Sequence, residues 1–250
     1  MPEAIAAALA VDGIWLLFLA ALIAGVVRGF AGFGTAMIFL PMAAQVLSPF
    51  EVLTVLVIMD LTGPLIHVPR ALKDGHPADV VRLGLGAAIA VPLGVRVLSL
   101  AEPEVFRWGV SIVALVLLTL LVLAVRYRGV LTKRMMFGTG LLGGFLGGSV
   151  GLPGPPVIML YMASTLPPSA IRANNTLYLI LADVLILTVL AVRGFLVASA
   201  VAIGIIAIVP YTLGNWIGAK IFRPEAEKAY RLAAYAIIAV SALHGLPVWD

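Results

Sequence analysis

Residues 22–40 read LIAGVVRGFAGFGTAMIFL, a hydrophobic run that stops at a cluster of glycines and then resumes. Residues 141–160 read LLGGFLGGSVGLPGPPVIML and have the same pattern, with prolines added at the interruption. Each run therefore predicts a hydrophobic helix that is broken near its middle. A shift of 119 positions places the glycines of the first run on those of the second, namely Gly25 on Gly144, Gly29 on Gly148 and Gly32 on Gly151.

The composition is that of a membrane protein. The chain has 250 residues, of which 62% are hydrophobic and 11% are charged, and its mean hydropathy is +1.14. Because soluble domains carry about 25% charged residues, this chain cannot cover a water-exposed surface. Hydrophobic runs of about 20 residues, long enough to cross a lipid bilayer as helices, recur along it. We predict an all-α, multi-pass protein with one membrane domain over residues 1–250, in a bacterial-type cytoplasmic membrane.

The same composition argues against several kinds of chemistry. The absence of cysteine excludes disulfides and cysteine-ligated metals, and the three histidines are too scattered to predict a metal site or another cofactor. The net charge of +4 is typical of basic cytoplasmic loops, so we expect no nucleic-acid partner. An acidic N-terminus without a basic leader predicts no cleaved signal peptide.

The hydrophobic segments number eight, and the first and fifth are too long for one simple crossing. About 14 residues of helix on either side of each break rise roughly 21 Å, short of the ~30 Å hydrocarbon core. We therefore predict that these two segments are re-entrant hairpins, which enter the membrane and return to the side they left. The segments are 14–47, 51–69, 79–98, 105–125, 135–166, 173–192, 195–219 and 229–246.

The distribution of lysine and arginine favours this topology. If all eight segments crossed, the two faces would carry 8 and 7 basic residues, whereas two hairpins give 12 against 3. The positive-inside rule prefers the second arrangement. Its poorer face has Arg96, Arg107 and Arg193, and its richer face has Arg70, Lys73, Arg82, Arg126, Arg128, Lys133, Arg134, Arg172, Lys220, Arg223, Lys228 and Arg231.

The hairpins belong to a longer duplication. Asp60 and Arg70 are ten residues apart, as are Asp183 and Arg193, at an offset of 123. We predict two repeats, residues 13–126 and 134–246, each with one hairpin and three crossings. Because three is an odd number, the repeats are predicted to be inverted, an arrangement with which transporters build a binding site near the membrane midplane.

These residues resemble a known family. GFAGFGTAMIFLPM at residues 29–42 and, after a central basic loop, GGSVGLPGPPVIMLYM at residues 147–162 are similar to the motifs of the TauE/SafE membrane transporters, and the resemblance covers nearly the whole chain. It implies transport of sulfite, sulfonates such as sulfoacetate, or related small organic anions, and we favour export. The chain departs in one respect, because Gly147 stands where the first repeat has Arg28. The two hairpins are therefore not expected to contribute equally.

The interrupted helices predict where a small anion binds. A helix that resumes inside the membrane points its first N–H groups and its positive dipole end at the interior, which suits an anion. Arg28, an intramembrane arginine beside the first break, offers a planar guanidinium that matches paired sulfonate or carboxylate oxygens. The predicted substrate-binding residues are Arg28, Gly29, Gly32, Phe33, Gly34, Thr35, Gly148, Ser149, Gly151, Pro153, Gly154, Asn174 and Asn175.

Structural roles remain open for several of these residues. Glycines four positions apart often serve only to pack helices together. Arg28 can be a structural partner of Asp60, and Phe33 can belong to ordinary packing. Asn174 and Asn175 can cap a helix.

Asp60 and Asp183 lie at the centres of hydrophobic segments, at matching positions of the two repeats. Intramembrane acids often mark proton or ion paths, so both residues are candidates for coupling transport to protons or Na⁺. A neutral, hydrogen-bonded structural acid is the alternative.

Two other functions remain open from the sequence. A membrane-embedded lipid phosphatase also uses paired hairpins, but its chemistry needs acids or histidines beside the breaks. The breaks instead hold Arg28, Thr35 and Ser149. An anion channel would share the same site as a carrier. The partners that the sequence predicts are a small anion and the lipid bilayer, whereas the particular anion, the coupling ion and the oligomeric state stay open.

Overall fold

The computed structural model describes residues 2–65, 67–123, 131–162 and 164–248. In these residues it has α-helices and one short 3₁₀ turn, in agreement with the all-α prediction. Arg126 and Arg128 of the central loop, with the end of the first predicted repeat, lie outside the described residues. The helices are α1 (Pro2–Leu9), α2 (Ile14–Ala31), α3 (Thr35–Ala43), α4 (Pro49–Leu65), α5 (Val68–Asp74), α6 (Pro77–Leu98), α7 (Pro103–Val122), α8 (Lys133–Val150), α9 (Gly154–Met162), α10 (Pro168–Val192), α11 (Ala198–Ile221) and α12 (Glu227–His244).

Both glycine clusters interrupt a helix, one between α2 and α3 and one between α8 and α9. The long arms α2 and α8 have 18 residues each, more than the roughly 14 that half of a span suggests. The difference arises because the first glycines of each cluster, such as Gly25 and Gly144, remain helical. The chain leaves the helix only at Gly32 and Gly151.

Left-handed glycines terminate both long arms. Gly32 has a φ of 79°, and its N–H caps the Arg28 carbonyl at 2.8 Å. Gly151 has a φ of 73°, and its N–H bonds to the Gly147 carbonyl at 3.1 Å. Gly34, with a φ of 101°, then precedes α3. These conformations are costly for residues with a Cβ atom, so glycine is required at each position.

Five helices in the described chain are long and apolar enough to cross a membrane, and α4 with α5 makes a sixth if that bent pair forms one span. The sequence predicted six crossings, and the candidate helices are not the same set. The long arm α2 qualifies, whereas α12 is not among the candidates because its first turns carry Glu227, Lys228 and Arg231. The five are α2, α6, α7, α10 and α11.

The helices assemble into two compact units. Neither unit coincides with one predicted repeat, because each packs a hairpin from one half of the chain on a helix from the other half. The duplication itself stays a prediction. The first unit comprises Met1–Asp60, Glu102–Thr119 and Phe195–Asp250, and the second comprises Leu61–Ala101 and Leu120–Gly194.

In the first unit, the backbones of α2 and α11 are in direct contact. A Cβ atom on Gly25 would overlap the Tyr211 carbonyl, and one turn later a Cβ on Gly29 would lie 2.7 Å from the Ala219 nitrogen. Small residues allow such close approach between membrane helices. Because the contacts advance along both helices together, α2 and α11 run in the same direction.

The helix that follows the first hairpin, α4, also runs parallel to α11. Phe50 stacks on Phe195 at 4.0 Å near the start of both helices, and Asp60 meets Tyr211 further along. Since α2 and α4 both run parallel to α11, the short arm α3 brings the chain back towards the end at which α2 began.

The second unit repeats this arrangement with α6 in place of α11. A Cβ on Gly140 would overlap the Leu83 carbonyl, and a Cβ on Gly148 would overlap the Val91 carbonyl. The contacts again advance together, so α6 and α8 are parallel and almost touch through their backbones.

The helix α10 runs in the same direction as α6. The Asn174 side chain meets the His76 N–H near the start of both helices, and Leu181 lies against Gly84 further along. Since α8 and α10 are both parallel to α6, α9 must lead the chain back. This return supports the prediction of re-entrant insertion into a bilayer, which stays a prediction.

Candidate functional site

Arg28 and Asp60 form an ion pair beside the first break. Arg28 lies in the last turn of α2, and its Nη1 atom is 4.0 Å from Oδ2 of Asp60 on α4. The two side chains are 20% and 14% exposed, so the pair is mostly shielded from solvent. A cation at a helix C-terminus interacts favourably with the helix dipole, and an intramembrane arginine requires a partner or a cavity. The structure thus provides the partner that the sequence left as an alternative.

Tyr211 connects this pair to the start of α3. Its hydroxyl donates a hydrogen bond to Oδ1 of Asp60 and lies 3.2 Å from Oγ1 of Thr35. Both Tyr211 and Thr35 are 2% exposed. Arg28, Asp60, Tyr211 and Thr35 therefore form one continuous chain of polar contacts that joins α2, α4, α11 and α3. We refer to these four residues as the Arg28 network.

The start of α3 adds backbone donors next to the Arg28 network. The first hydrogen bond within this helix runs from the Ile38 N–H to the Gly34 carbonyl at 3.1 Å. The N–H groups of Thr35, Ala36 and Met37 therefore precede the helical ladder and point out of the helix end. Together with the dipole of α3, they form a site suited to an anion.

The rest of the first break divides into an open part and a packed part. Gly32 is exposed, and a Cβ at this position would have no heavy atom within 4 Å. Phe33 packs its ring on Tyr235 of α12, with a centroid distance of 6.1 Å. The break is thus exposed at Gly32, and the aromatic side chain of Tyr235 covers it at Phe33.

Gly29 and Gly148 lie on the helix–helix contacts and not at the breaks. A Cβ on Gly29 would overlap the Asn215 carbonyl in α11, and a Cβ on Gly148 would lie 2.9 Å from the Val95 nitrogen in α6. The packing role that the sequence left open describes the position of both glycines.

The second break differs from the first in polarity and accessibility. Gly151, Pro153 and Gly154 are all buried, and residues 147–162 contain no charged side chain. The predicted polar residue, Ser149, donates its hydroxyl hydrogen bond to the Phe145 carbonyl of its own helix at 2.7 Å. Two prolines in the first turn of α9, at positions 155 and 156, lack the N–H groups that an anion needs. This break therefore lacks the charge and the donors of the first one.

Asn174 and Asn175 lie well inside α10, which begins at Pro168. Helix capping of α10, the structural alternative considered for them, is therefore wrong. Asn174 is fully buried, and its Oδ1 atom accepts a hydrogen bond from the His76 N–H at 2.6 Å, directly before α6. Within the described part of the chain, Nδ2 of Asn174 and Oδ1 of Asn175 are buried without a hydrogen-bond partner.

Asp183, the predicted counterpart of Asp60, is 7% exposed in α10 of the second unit. It takes part in polar or electrostatic interactions of its own. The first unit therefore provides the clearest combination of an acid, a base and a helix break.

Sequence reasoning missed Tyr211, which connects the two ends of the Arg28 network. A signal was available, because Tyr211 follows Pro210 near the middle of the candidate span Ala198–Ile221. Membrane tyrosines are usually found at the interfaces, and a buried tyrosine hydroxyl usually has a polar partner. A tyrosine at mid-span thus indicates a polar neighbour in the membrane.

A multi-pass helical protein that holds an arginine–aspartate pair beside an interrupted helix has the features of a membrane transporter. The family model described as Sulfite exporter TauE/SafE matches residues 17–245. The chain belongs to the TauE/SafE family, which is a family of transporters and not of enzymes, so the lipid-phosphatase alternative is excluded. Comparisons with curated proteins and with solved structures gave no match.

Proposed function

We propose that this protein is a secondary transporter that exports small sulfur-containing oxoanions, such as sulfite or sulfonates, by alternating access. We also propose that the protein lies in a bacterial-type cytoplasmic membrane. The proposed function depends on one observation above all, the Arg28–Asp60 pair beside the first N–H groups of α3. This pair places a guanidinium, with its counter-ion 4.0 Å away, next to the start of a helix.

The anion would bind between Arg28 and the start of α3. Two oxygens of a sulfonate or sulfite match the guanidinium fork. A third oxygen is then directed towards the N–H groups of Thr35, Ala36 and Met37, where the helix dipole favours negative charge. The prolines of α9 remove the equivalent donors from the second break, so the proposal assigns the recognition of negative charge to the first break.

Replacing Arg28 tests this assignment. We expect Arg28→Ala to lower the affinity for sulfite or a sulfonate by about tenfold or more, because hydrogen bonds to charged groups contribute about 1.5–3 kcal/mol. The measurement is the thermal stabilisation of the purified protein by sulfite, sulfoacetate, sulfolactate, thiosulfate and simple carboxylates, because a bound ligand raises apparent stability. Arg82→Ala is the matched control, since Arg82 pairs with Asp79 at 2.5 Å at the start of α6.

Flux measurements separate a carrier from a channel. In reconstituted vesicles, a carrier accelerates the exit of labelled anion when unlabelled anion is supplied on the other side, and a channel does not. We expect this exchange for the wild type and the Arg82→Ala variant, and its loss for Arg28→Ala. Equal exchange by the wild type and Arg28→Ala would remove Arg28 from the binding site.

A further inference from the structure

The Arg28 network is electrically neutral without a substrate. The guanidinium of Arg28 is always protonated, and Asp60 is the acid that faces it, with Oδ2 at 4.0 Å from Nη1. Among the described residues of the first unit, the titratable or charged groups in contact with Asp60 are Arg28 from α2 and Tyr211 from α11. Thr35 from α3 reaches Tyr211 and is neutral.

The binding of a monovalent anion would disturb this balance. Arg28, Asp60 and the anion would together carry one negative charge, in a place where the two side chains are only 20% and 14% exposed. An uncompensated charge in such surroundings is unfavourable. One added proton restores neutrality, and in this network Asp60 is the group that can take it, because the guanidinium of Arg28 is already fully protonated and the tyrosine hydroxyl is already neutral.

We propose that Asp60 is the coupling site of the transporter, where one proton binds for each monovalent anion that replaces Asp60 as the partner of Arg28. This inference rests on the proposed function. The proton enters from water on the side from which the anion enters, and it leaves with the anion on the other side. The empty network contains Arg28⁺ and Asp60⁻, and the loaded network contains Arg28⁺, the anion and neutral Asp60, so both forms have zero net charge.

Tyr211 can serve both protonation states of Asp60. A tyrosine hydroxyl both donates and accepts hydrogen bonds, so it donates to the charged carboxylate and can accept from the protonated acid. Its second neighbour, Thr35 at 3.2 Å, can exchange donor and acceptor roles with it in the same way. Tyr211 therefore acts as a positioning residue, which keeps Asp60 in place when its ion pair with Arg28 opens.

The inference predicts a measurable coupling ratio in the wild type. Methanesulfonate is a suitable probe, because it is a monovalent anion that has no other protonation state near neutral pH. The vesicles are loaded with methanesulfonate and a pH-sensitive dye. Efflux should raise the internal pH by an amount that corresponds to the loss of one proton per anion. The rate of efflux should not respond to an imposed membrane potential. A pH difference of about one unit should support about a tenfold methanesulfonate gradient. The reason is that the tenfold ratio of proton concentrations across the membrane offsets the tenfold ratio of anion concentrations.

The Asp60→Asn variant should change proton movement and the voltage dependence of efflux in a way that a loss of folded protein would not. Asparagine stays neutral, so the empty network would carry the charge of Arg28 alone. We expect proton movement to disappear and net efflux to fall by about tenfold or more, because the empty carrier now moves an unpaired charge. The remaining efflux should become sensitive to the membrane potential. Asp79→Asn, which removes an acid at the start of α6, is the control and should keep the wild-type coupling.

The outcomes distinguish the inference from the function on which it rests. If the wild type does not exchange methanesulfonate, sulfite or sulfoacetate, the proposed function fails. If the wild type exchanges methanesulfonate but moves no proton with it, or if Asp60→Asn still moves protons, the function stands and the role of Asp60 is overturned. Should Asp60→Asn not fold, the wild-type proton-to-anion ratio still tests the coupling, and Asp60→Glu, which keeps an acid at this position, tests the assignment. Proton movement by Asp60→Glu with an unchanged pH dependence would overturn the role of Asp60.

Discussion

Tyr211 on α11 donates a hydrogen bond to Asp60 on α4, although the two residues are 151 positions apart in the chain. The backbone of α2 packs directly on this tyrosine, because a Cβ atom on Gly25 would overlap the Tyr211 carbonyl. The glycine that brings two helices into contact therefore also positions a polar side chain beside the helix break. Packing and site geometry depend on the same residues.

The Tyr211→Phe variant should separate these two contributions. The ring and its packing remain, but Asp60 loses its donor, so we expect the free energy of unfolding to fall by about 1 kcal/mol. Transport should slow and its pH dependence should shift, whereas proton movement should persist. Thermal unfolding and vesicle efflux at several pH values are the measurements. An unchanged pH profile would mean that Tyr211 does not position Asp60.

Replacing two glycines of α8 with alanine should have opposite effects on the free energy of unfolding. A Cβ on Gly140 would overlap the Leu83 backbone, whereas a Cβ on Gly138 would meet no heavy atom within 4 Å. Gly140→Ala should therefore lower the free energy of unfolding by about 1–3 kcal/mol, as overpacking does. Gly138→Ala should raise it by about 0.5–1 kcal/mol, because alanine loses less backbone freedom in a helix. Thermal midpoints in one detergent test both, and equal midpoints would argue against close contact between α6 and α8.

Asn174 and Asn175 should also differ in their effects. Asn174→Ala leaves the His76 N–H without the acceptor it has at 2.6 Å, which should lower the free energy of unfolding by about 1–3 kcal/mol. In the described chain the Oδ1 atom of Asn175 is buried without a hydrogen-bond partner, so Asn175→Ala should have a smaller effect. Both are predicted substrate-binding residues, so the thermal shift on adding sulfite should be measured as well. A weaker sulfite shift in Asn175→Ala, with stability unchanged, would favour binding by that residue.

Cysteine labelling can test the hairpin topology. The natural chain contains no cysteine, so single substitutions can be labelled without background. We expect Lys73→Cys and Arg172→Cys to react with an impermeant reagent from the same side of the membrane, and Arg193→Cys from the other side. The contact of Asn174 with His76 places the starts of α10 and α6 at one end of the second unit. Reaction of positions 73 and 172 from opposite sides would contradict the hairpins.

The broken helices could be predicted from the sequence because their causes are local. A hydrophobic stretch must be helical in lipid, since every backbone group needs a partner. Glycines such as Gly32 and Gly34 supply the left-handed conformations that interrupt such a helix. The sequence could also predict that Arg28 needs a polar partner or a cavity, because an unpaired charge inside the membrane is unfavourable wherever it stands.

The partners of these residues could not be predicted, because they come from helices that are distant in sequence. Tyr211 joins the site only through the contact of α11 with α2 and α4. Asn174, a predicted substrate-binding residue for which helix capping was the structural alternative, accepts a hydrogen bond at the start of α6, 98 positions earlier.

The sequence by itself determined the membrane class, the two interrupted helices, the family and the arginine beside the first break, because hydropathy, glycine conformation and buried charge act within a few residues. Only the tertiary structure decided which acid faces Arg28 and which tyrosine donates a hydrogen bond to that acid. It also decided which glycines lie at helix–helix contacts and not at the helix breaks. The physical reason is that a hydrogen bond or an ion pair depends on distances of a few ångströms between side chains, and helix packing alone sets those distances.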